Sequence, residues 1–253
     1  MIELLVCIAI IAVLGAASVG AVSSVLAKGA ETREIAAGKS LITAYLLYAS
    51  ENNGRYLPSF DPTAKDVFND KGAKITMTAI TERYPFRLAP YFEYRLKGTL
   101  LVNGNDKQIK KQMSAMYDYG VSAFPAFGIN RYLVGGLVDQ NGNVLFPNEC
   151  ITRQSQSEVS VIAFASAGTI GIDGYEYVKP PNVLVPQWST APWVPNGDPG
   201  SFGSVRTRKN GKAVCVYLDG SIKQQTVEEL RDMRCWSRNA ALNNDPNYML
   251  TAN

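Results

Sequence analysis

Hydrophobic and polar positions along the first 54 residues follow two different patterns. Residues 4–27 carry no charge and are apolar around the whole circumference of a helix. From residue 28 onward polar side chains enter, and apolar ones recur at helical spacings of three, four and seven. These apolar positions are Ile35, Gly38, Ile42, Tyr45, Leu46 and Ala49. Asn52-Asn53-Gly54 is a typical helix stop, so the pattern predicts one helix from about residue 2 to about residue 52.

The apolar first half of this predicted helix has the length that a lipid bilayer requires. A bilayer core about 30 Å thick takes roughly 20 apolar helical residues. We therefore expect residues 1–27 to form a transmembrane or filament-core half and residues 28–53 the amphipathic half of the same helix. Residues 54–253 are expected to form a globular α+β head. A plain N-terminal membrane anchor is the alternative that hydropathy leaves open.

Alternating apolar positions in the rest of the chain predict strands. The clearest is 213–218, where both sets of alternating residues are apolar. Asp219-Gly220 follows it and is typical of a two-residue hairpin turn, so residues 221–226 are expected to return antiparallel. Further strands are expected at 98–103, 130–138, 159–166 and 174–179.

Three other segments have helical character. Residues 61–70 and 106–120 are expected to be helical. Thr226, followed three residues later by Glu229, predicts a capping box at the start of a short helix. The fold class predicted from these elements is α+β: a long N-terminal α-helix, with a membrane-spanning first half, packed on an antiparallel β-sheet of about four strands.

Composition argues against most enzyme classes. The chain of 253 residues has a net charge of +3 and contains no histidine, the commonest general base and metal ligand. It has no phosphate-binding glycine loop and no nucleophile motif. No basic run indicates nucleic-acid binding. We therefore predict no catalytic residue, no cofactor and no metal, and expect that the protein is not an enzyme.

The proline-rich segment 179–204 contains two tryptophans, Trp188 and Trp193. Prolines reduce the entropy that a long loop loses when it becomes ordered. Three interpretations of the tryptophans stay open. They cover the edge of the protein's own sheet, they are contact anchors between subunits, as tryptophan often is at interfaces, or they stack on sugars.

The N-terminal segment "IELLVCIAIIAVLGA" resembles that of the type IV prepilin class, which includes pilins and the pseudopilins of type II secretion. Mature chains of that class commonly start Phe-Thr-Leu-Ile-Glu-Leu. Ile2, Glu3 and Leu4 match the end of this motif. The chain lacks the leading Phe-Thr pair and the basic, glycine-ended leader, so we expect it to be a processed or trimmed form.

Later segments resemble the large prepilin-type family with a C-terminal signature of histidine, nine residues and Asp-Gly. "KNGKAVCVYLDGSIK" matches that signature, with Asp219 and Gly220 at the Asp-Gly. "FGINRY" resembles another family segment through Asn130. The histidine position holds Lys209, and a protonated lysine is no metal ligand. Further matches, in the expected order, are Tyr48, Asn53, Gly54 and Pro58.

The resemblance implies a structural subunit of an extracytoplasmic type IV pilus-like filament, assembled through the N-terminal helices. Its partners would be copies of itself, the bacterial inner membrane before assembly, a prepilin peptidase and the pilus assembly machinery. The assembled filament would lie at the cell surface. The alternative is a low-copy pseudopilin of a type II secretion-like system, or a membrane-anchored extracytoplasmic binding module.

The four cysteines are consistent with an oxidising compartment. Cys7 lies in the apolar helix and is expected to be free. Cys215 stands on a strand where the resembling family usually carries an aliphatic residue, so it is expected to be buried and free. Cys150 and Cys235, both near element ends, are predicted to form a disulfide.

Gly15 and Gly20 flank a stretch of small residues inside the apolar run. Glycine in a helix interior costs about 1 kcal/mol relative to alanine. Pilins often lose helical structure near this position on assembly, so we expect an extended or kinked helix within residues 13–22 of a filament. Close helix–helix packing through the small residues is the alternative.

Glu3 is a carboxylate at the edge of an apolar run, where it costs several kcal/mol unless it is paired, protonated or at the interface. In a bundle of parallel helices, the free α-amino group of a neighbouring chain would pair with Glu3. Such a pair would set the axial register of an incoming subunit, because opposite charges attract strongly where the dielectric is low. The alternative is a first-turn acidic residue favoured by the helix dipole.

Replacing Glu3 by alanine is expected to leave the protein folded and membrane-inserted but to block or severely reduce its incorporation into filaments. Glu3→Asp keeps the charge on a shorter stem and is expected to assemble partly. Filament yield in sheared surface fractions measures both effects. Normal amounts of filament from Glu3→Ala cells would show that Glu3 is only an interfacial residue.

Overall fold

A computed structural model describes residues 2–195, 197–208 and 210–251 of the chain. Its first element is helix α1, Ile2–Glu51. Within residues 2–23 of this helix, side chains are described at only a few positions. The 28 residues 24–51 are described throughout. The helix ends where the sequence predicts. Asn53 and Gly54 take positive φ, and the Gly54 amide donates to the Ala49 carbonyl at 2.8 Å.

The head contains five further α-helices and seven strands among the described residues. The helices are α2 (Thr78–Thr81), α3 (Tyr84–Leu88), α4 (Asn105–Met113), α5 (Tyr117–Ala123) and α6 (Arg238–Leu242). The strands are β1 (Phe127–Asn130), β2 (Ile162–Ser166), β3 (Tyr177–Val178), β4 (Asn182–Val183), β5 (Val185–Pro186), β6 (Lys212–Tyr217) and β7 (Ile222–Thr226). Short 3₁₀ turns connect many of them.

The main sheet has five strands in the order β3-β1-β2-β6-β7, and it is mixed. β1, β2, β6 and β7 pair antiparallel, but β3 pairs parallel with β1. The prediction of an antiparallel sheet is therefore wrong. The connection after β2 reverses the chain and passes β1 to reach the far edge, so β3 runs in the same direction as β1.

The prediction that the first half of the N-terminal helix spans a membrane is also wrong. No helix among the described residues has both the length and the apolar character needed to cross a membrane. The fully described part of α1 contains six charged side chains that interrupt any apolar window: Lys28, Glu31, Arg33, Glu34, Lys39 and Glu51.

Several local predictions are corrected by turns. Residues 61–70 form no helix, because the Asp61 carboxylate accepts the Thr63 amide in a tight turn and Asp66 takes positive φ. Residues 98–103 form turns rather than a strand. The predicted strand 130–138 does not form, because β1 ends at Asn130, residues 131–133 form a turn, and Gly135 and Gly136 both have positive φ. Residues 106–120 are largely helical, as predicted.

The β6–β7 hairpin is confirmed, but its loop has three residues instead of two. Tyr217 and Ser221 remain paired through a 2.9 Å hydrogen bond, and only Gly220 takes positive φ. A type I turn followed by a left-handed glycine produces this loop length. After β7, Thr226 and Glu229 form the predicted capping box, with 2.7 Å and 3.2 Å hydrogen bonds. The predicted helix there is two 3₁₀ turns.

Both faces of the sheet are buried. Alternate residues of β6 divide between two hydrophobic clusters: Val214 and Val216 face α1, whereas Cys215 and Tyr217 face a layer built from segment 183–205 and the C-terminal residues. A strand that is apolar on both faces requires cover on both. The molecule therefore has three layers, with the sheet in the middle.

Gly38 lets α1 lie close to the sheet. A Cβ atom built at this position would come within 2.9 Å of Val216 Cγ2 and 3.4 Å of Phe127 Cζ. Gly29, in the same helix, has nothing within 4 Å of the equivalent position. Both glycines lie in α1, but only Gly38 packs against the sheet.

Gly38→Val is expected to lower the free energy of unfolding by roughly 1–3 kcal/mol, because it overpacks the contact between α1 and β6. Gly29→Val is the matched control and is expected to change stability by less than about 0.5 kcal/mol. Urea unfolding followed by tryptophan fluorescence measures both. Equal effects of the two substitutions would show that Gly38 does not set the distance between helix and sheet.

Candidate functional site

The buried face of α1 contains a carboxylate, Glu34, whose side chain is fully inaccessible to solvent. The Arg208 guanidinium donates to it from Nε, at 2.9 Å to each oxygen, and from Nη2 at 2.6 Å. The Ser166 hydroxyl, at the end of β2, donates to the same carboxylate at 2.7 Å and accepts the Val214 amide at 3.0 Å. Glu34 therefore joins α1 to β2, to β6 and to the segment before β6.

A second carboxylate extends this cluster towards the surface. Asp173 Oδ1 lies 3.0 Å from Arg206 Nε and 3.9 Å from Arg208 Nη1. Asp173 and Arg206 are about one third exposed, so their pair is solvated, whereas Glu34 and Arg208 form a partly buried pair. A buried ion pair gives little net stability but strongly penalises arrangements in which one charge loses its partner. Glu34 and Arg208 therefore specify how α1 sits on the sheet.

Two more polar contacts fix α1 against the β6–β7 hairpin. The Lys39 ammonium donates to the Gly220 carbonyl at 3.1 Å. Glu31 accepts a hydrogen bond from the Gln224 amide and a longer one, 3.5 Å, from Asn210. Polar side chains of α1 thus contact the hairpin on one side of the helix, and Gly220 contributes its backbone oxygen to this contact.

A groove lies beside this cluster, with a volume of about 1020 Å³. Its walls are the outer part of α1 around Leu26 and Ala30, the loop from Trp193 to Pro199, and residues 205–208 with Asn210 and Gly211. Arg206, Asp173 and Asn103 are among its polar lining. A smaller concavity of about 520 Å³ lies on the other side of Trp193 and Asn210 and reaches Glu228 and Arg231.

The outer part of α1 exposes large apolar side chains. Val6, Ile10 and Val13 are spaced by four and three residues, so they share one face of the helix, and they are 51%, 53% and 69% exposed. Val22, Val25 and Leu26 are exposed to a similar degree. No described residue covers the apolar face formed by Val6, Ile10 and Val13, which is called the apolar face of α1 below.

The predicted assembly residues Ile2, Glu3, Leu4, Gly15 and Gly20 lie within the bounds of α1, but their side-chain surroundings are outside the described residues. Lys209 is also outside the described residues. Asn130 is fully buried, and its amide donates to the Ile162 and Trp236 carbonyls at 3.0 and 3.3 Å. Asn130 therefore joins β1 to β2 and to the C-terminal segment.

The two tryptophans of segment 179–204 have different environments. Trp188 is buried in the hydrophobic cluster on the side of the sheet away from α1, which is called the outer cluster below. It donates from Nε1 to the Lys179 carbonyl at 2.9 Å and meets the Trp236 ring edge-on. It covers the protein's own sheet, which is one of the three interpretations. Trp193 is only partly buried and lies between the two concavities.

The predicted Cys150–Cys235 disulfide is absent, because Cys150, Cys215 and Cys235 all have free thiols. Cys150 lies beside Gly136, whereas Cys235 packs against the outer cluster and accepts a weak hydrogen bond from Gln225. Burial raises the pKa of both the Cys150 and Cys215 thiols well above the usual range. Cys215 is buried and free, as predicted.

Sequence reasoning missed the cluster of Glu34, Arg208, Asp173 and Arg206. Glu34 is not among the apolar positions that predict the buried face of the helix, although it stands four residues before Gly38 and seven before Leu41, on that face. That spacing was the available signal. The positions of Arg208 and Asp173 had none, because both lie in irregular segments far along the chain.

No protein-family model, curated protein or solved structure matches this chain. Among the described residues, no group of three histidine, cysteine, aspartate or glutamate side chains converges as a metal site would require.

Arg208→Met is expected to destabilise the protein by roughly 3–5 kcal/mol, because it leaves the Glu34 carboxylate buried without its cation. Arg206→Met is the matched control. Its pair with Asp173 is solvated, so the expected loss is about 1 kcal/mol or less. Urea unfolding measures both, and the double variant Glu34→Gln/Arg208→Met should recover part of the loss. Similar losses in Arg208→Met and Arg206→Met would contradict a special role for the Glu34 pair.

Proposed function

We propose that this protein is the repeating structural subunit of a type IV pilus-like filament at the cell surface, and that its copies associate through α1. The observation that carries the proposal is the exposed apolar face formed by Val6, Ile10 and Val13. Burying the exposed half to two thirds of each such side chain would contribute about 1–2 kcal/mol. Repeated contacts between copies would bury these side chains in every subunit.

The attachment of α1 to the head supports this role. Glu34, Lys39 and Gly38 fix the rotation and the distance of the helix relative to the sheet. A filament subunit requires such a joint, because its helix must enter the same position on each neighbouring copy. A loosely attached helix would lose that register and with it the repeat.

The N-terminal motif supports the same proposal from the sequence. Glu3, between Ile2 and Leu4, stands where pilins keep a glutamate. The resemblance also implies processing by a prepilin peptidase and the use of a pilus assembly machinery. The role is structural, and no reaction is assigned to the protein.

Ile10→Asp is expected to reduce filament yield at least tenfold, because the substitution places a charge on the apolar face through which α1 meets its neighbours. Ile170→Asp is the control, since Ile170 is 78% exposed on a loop of the head and outside this face. Cells expressing each variant are sheared, and the released filaments are counted by electron microscopy and immunoblotting against total subunit.

Normal filament yield from Ile10→Asp cells would show that this face is not an assembly surface. Sheared wild-type filaments in which this chain is absent or a trace component would overturn the role of repeating subunit. That second result would favour a low-copy pseudopilin instead.

A further inference from the structure

The groove beside the Glu34 cluster combines an aromatic ring with polar side chains from three separate segments. Trp193 lies at one wall, Asn103 and Asp173 at another, and Arg206 and Asn210 follow from the segment before β6. Its volume of about 1020 Å³ lies at the upper end of the range for small-molecule sites, roughly 300–1000 Å³. The groove is therefore large enough for a ligand of several rings.

The two arginines that line the described part of this groove are paired inside the protein, and its remaining carboxylate, Glu31, accepts hydrogen bonds only from the Gln224 and Asn210 amides. Arg208 is held by the buried Glu34 carboxylate, and Arg206 is paired with Asp173 at 3.0 Å. An anionic ligand would have to compete with these carboxylates for each guanidinium. The pairing therefore favours an uncharged ligand over a phosphate, a carboxylate or a nucleic acid.

The paired groups retain hydrogen-bonding capacity towards the groove. Arg206 contacts Asp173 through Nε, and its Nη donors make no hydrogen bond within the described part of the chain. The second oxygen of Asp173 is an acceptor without a hydrogen bond to a described residue. A guanidinium, a carboxylate and amides thus offer planar donors and acceptors side by side, which suits hydroxyl groups that both donate and accept.

Trp193 supplies the apolar surface that such a ligand would need. It is partly exposed, whereas Trp188 is 5% and Trp236 0% exposed. The indole lies beside Gly211, where a Cβ atom would be at an ordinary contact distance of 3.7 Å from Trp193 Cζ3. Tryptophan has an apolar ring face and a polar N–H at its edge, so it favours ligands that have both an apolar face and polar groups.

We propose that this groove binds a neutral oligosaccharide. A sugar ring presents a C–H face that packs on an indole and a rim of hydroxyls that pair with planar polar side chains. The Trp193 ring would carry the C–H face of one sugar unit, and Arg206, Asp173 and Asn210 would bind its hydroxyls. This inference does not depend on the proposed filament role.

The test titrates the purified full-length chain with maltohexaose, cellohexaose and chitohexaose, and with a hexamer of galacturonic acid as the anionic probe. Because Trp193 is the exposed one of the three tryptophans, binding is expected to shift the fluorescence and to protect it from acrylamide quenching. At least one neutral hexamer is expected to give saturable binding, and the anionic one none.

Isothermal titration calorimetry on variants locates the site. Trp193→Ala is expected to weaken binding at least tenfold, whereas Trp193→Tyr keeps an aromatic platform and is expected to lose much less. Phe68→Ala removes an exposed aromatic side chain outside the groove, 38% exposed, and is expected to bind as the wild type does.

Three results would overturn the proposal. The first is the absence of saturable binding of every neutral hexamer at millimolar concentration. The second is binding of the galacturonic acid hexamer alone, which would mean an anion site. The third is wild-type affinity in Trp193→Ala, which would place any sugar binding elsewhere on the molecule.

Discussion

The bidentate pair between Glu34 and Arg208 is the interaction on which the arrangement of this protein depends. It joins residues 174 positions apart and brings in Ser166 from the end of β2. Because a buried carboxylate without its cation is strongly unfavourable, alternative rotations of α1 are excluded more effectively than apolar packing alone would exclude them. Because this pair fixes α1 on the sheet, it also fixes where the apolar face of α1 and the groove lie relative to the head.

Close packing completes what the ion pair begins. Gly38 allows the helix backbone to approach Val216 and Phe127, and the buried ring of Tyr45 donates its hydroxyl to the Leu57 carbonyl at 2.9 Å. Burial raises the pKa of Tyr45 far above its usual value, so the hydroxyl keeps its proton as a donor. Charge, shape and hydrogen bonding thus agree on one placement of the helix, which is the condition for a unique fold.

The two proposals use different parts of the same helix. Near its start, α1 exposes Val6, Ile10 and Val13, which a second copy could cover. Where α1 borders the loop around Trp193, it becomes one wall of a polar groove. The two surfaces differ in polarity, because the groove contains Arg206 and Arg208, each paired with a carboxylate, and the Glu31 carboxylate.

Some features could be predicted from local sequence because their causes are local. The end of α1 at Asn53-Gly54, the two-sided burial of β6, the β6–β7 hairpin and the capping box of Thr226 and Glu229 each depend on a few neighbouring residues. The helical character of residues 106–120 could be predicted for the same reason. Where a turn residue outweighed the apolar pattern, as at Asp61 or Gly135, the same local reasoning failed.

By itself, the sequence determined the α+β class and the change from an apolar to an amphipathic pattern along the N-terminal helix. Only the tertiary structure decided that β3 pairs parallel with β1, that Trp188 is buried while Trp193 borders a groove, and that Glu34 pairs with Arg208. Each of these depends on segments far apart in the chain. Arg208 is the cation that makes the burial of Glu34 energetically acceptable, and the fold of the sheet brings it there. The residues next to Glu34 or next to Arg208 in the sequence do not indicate that the two side chains meet.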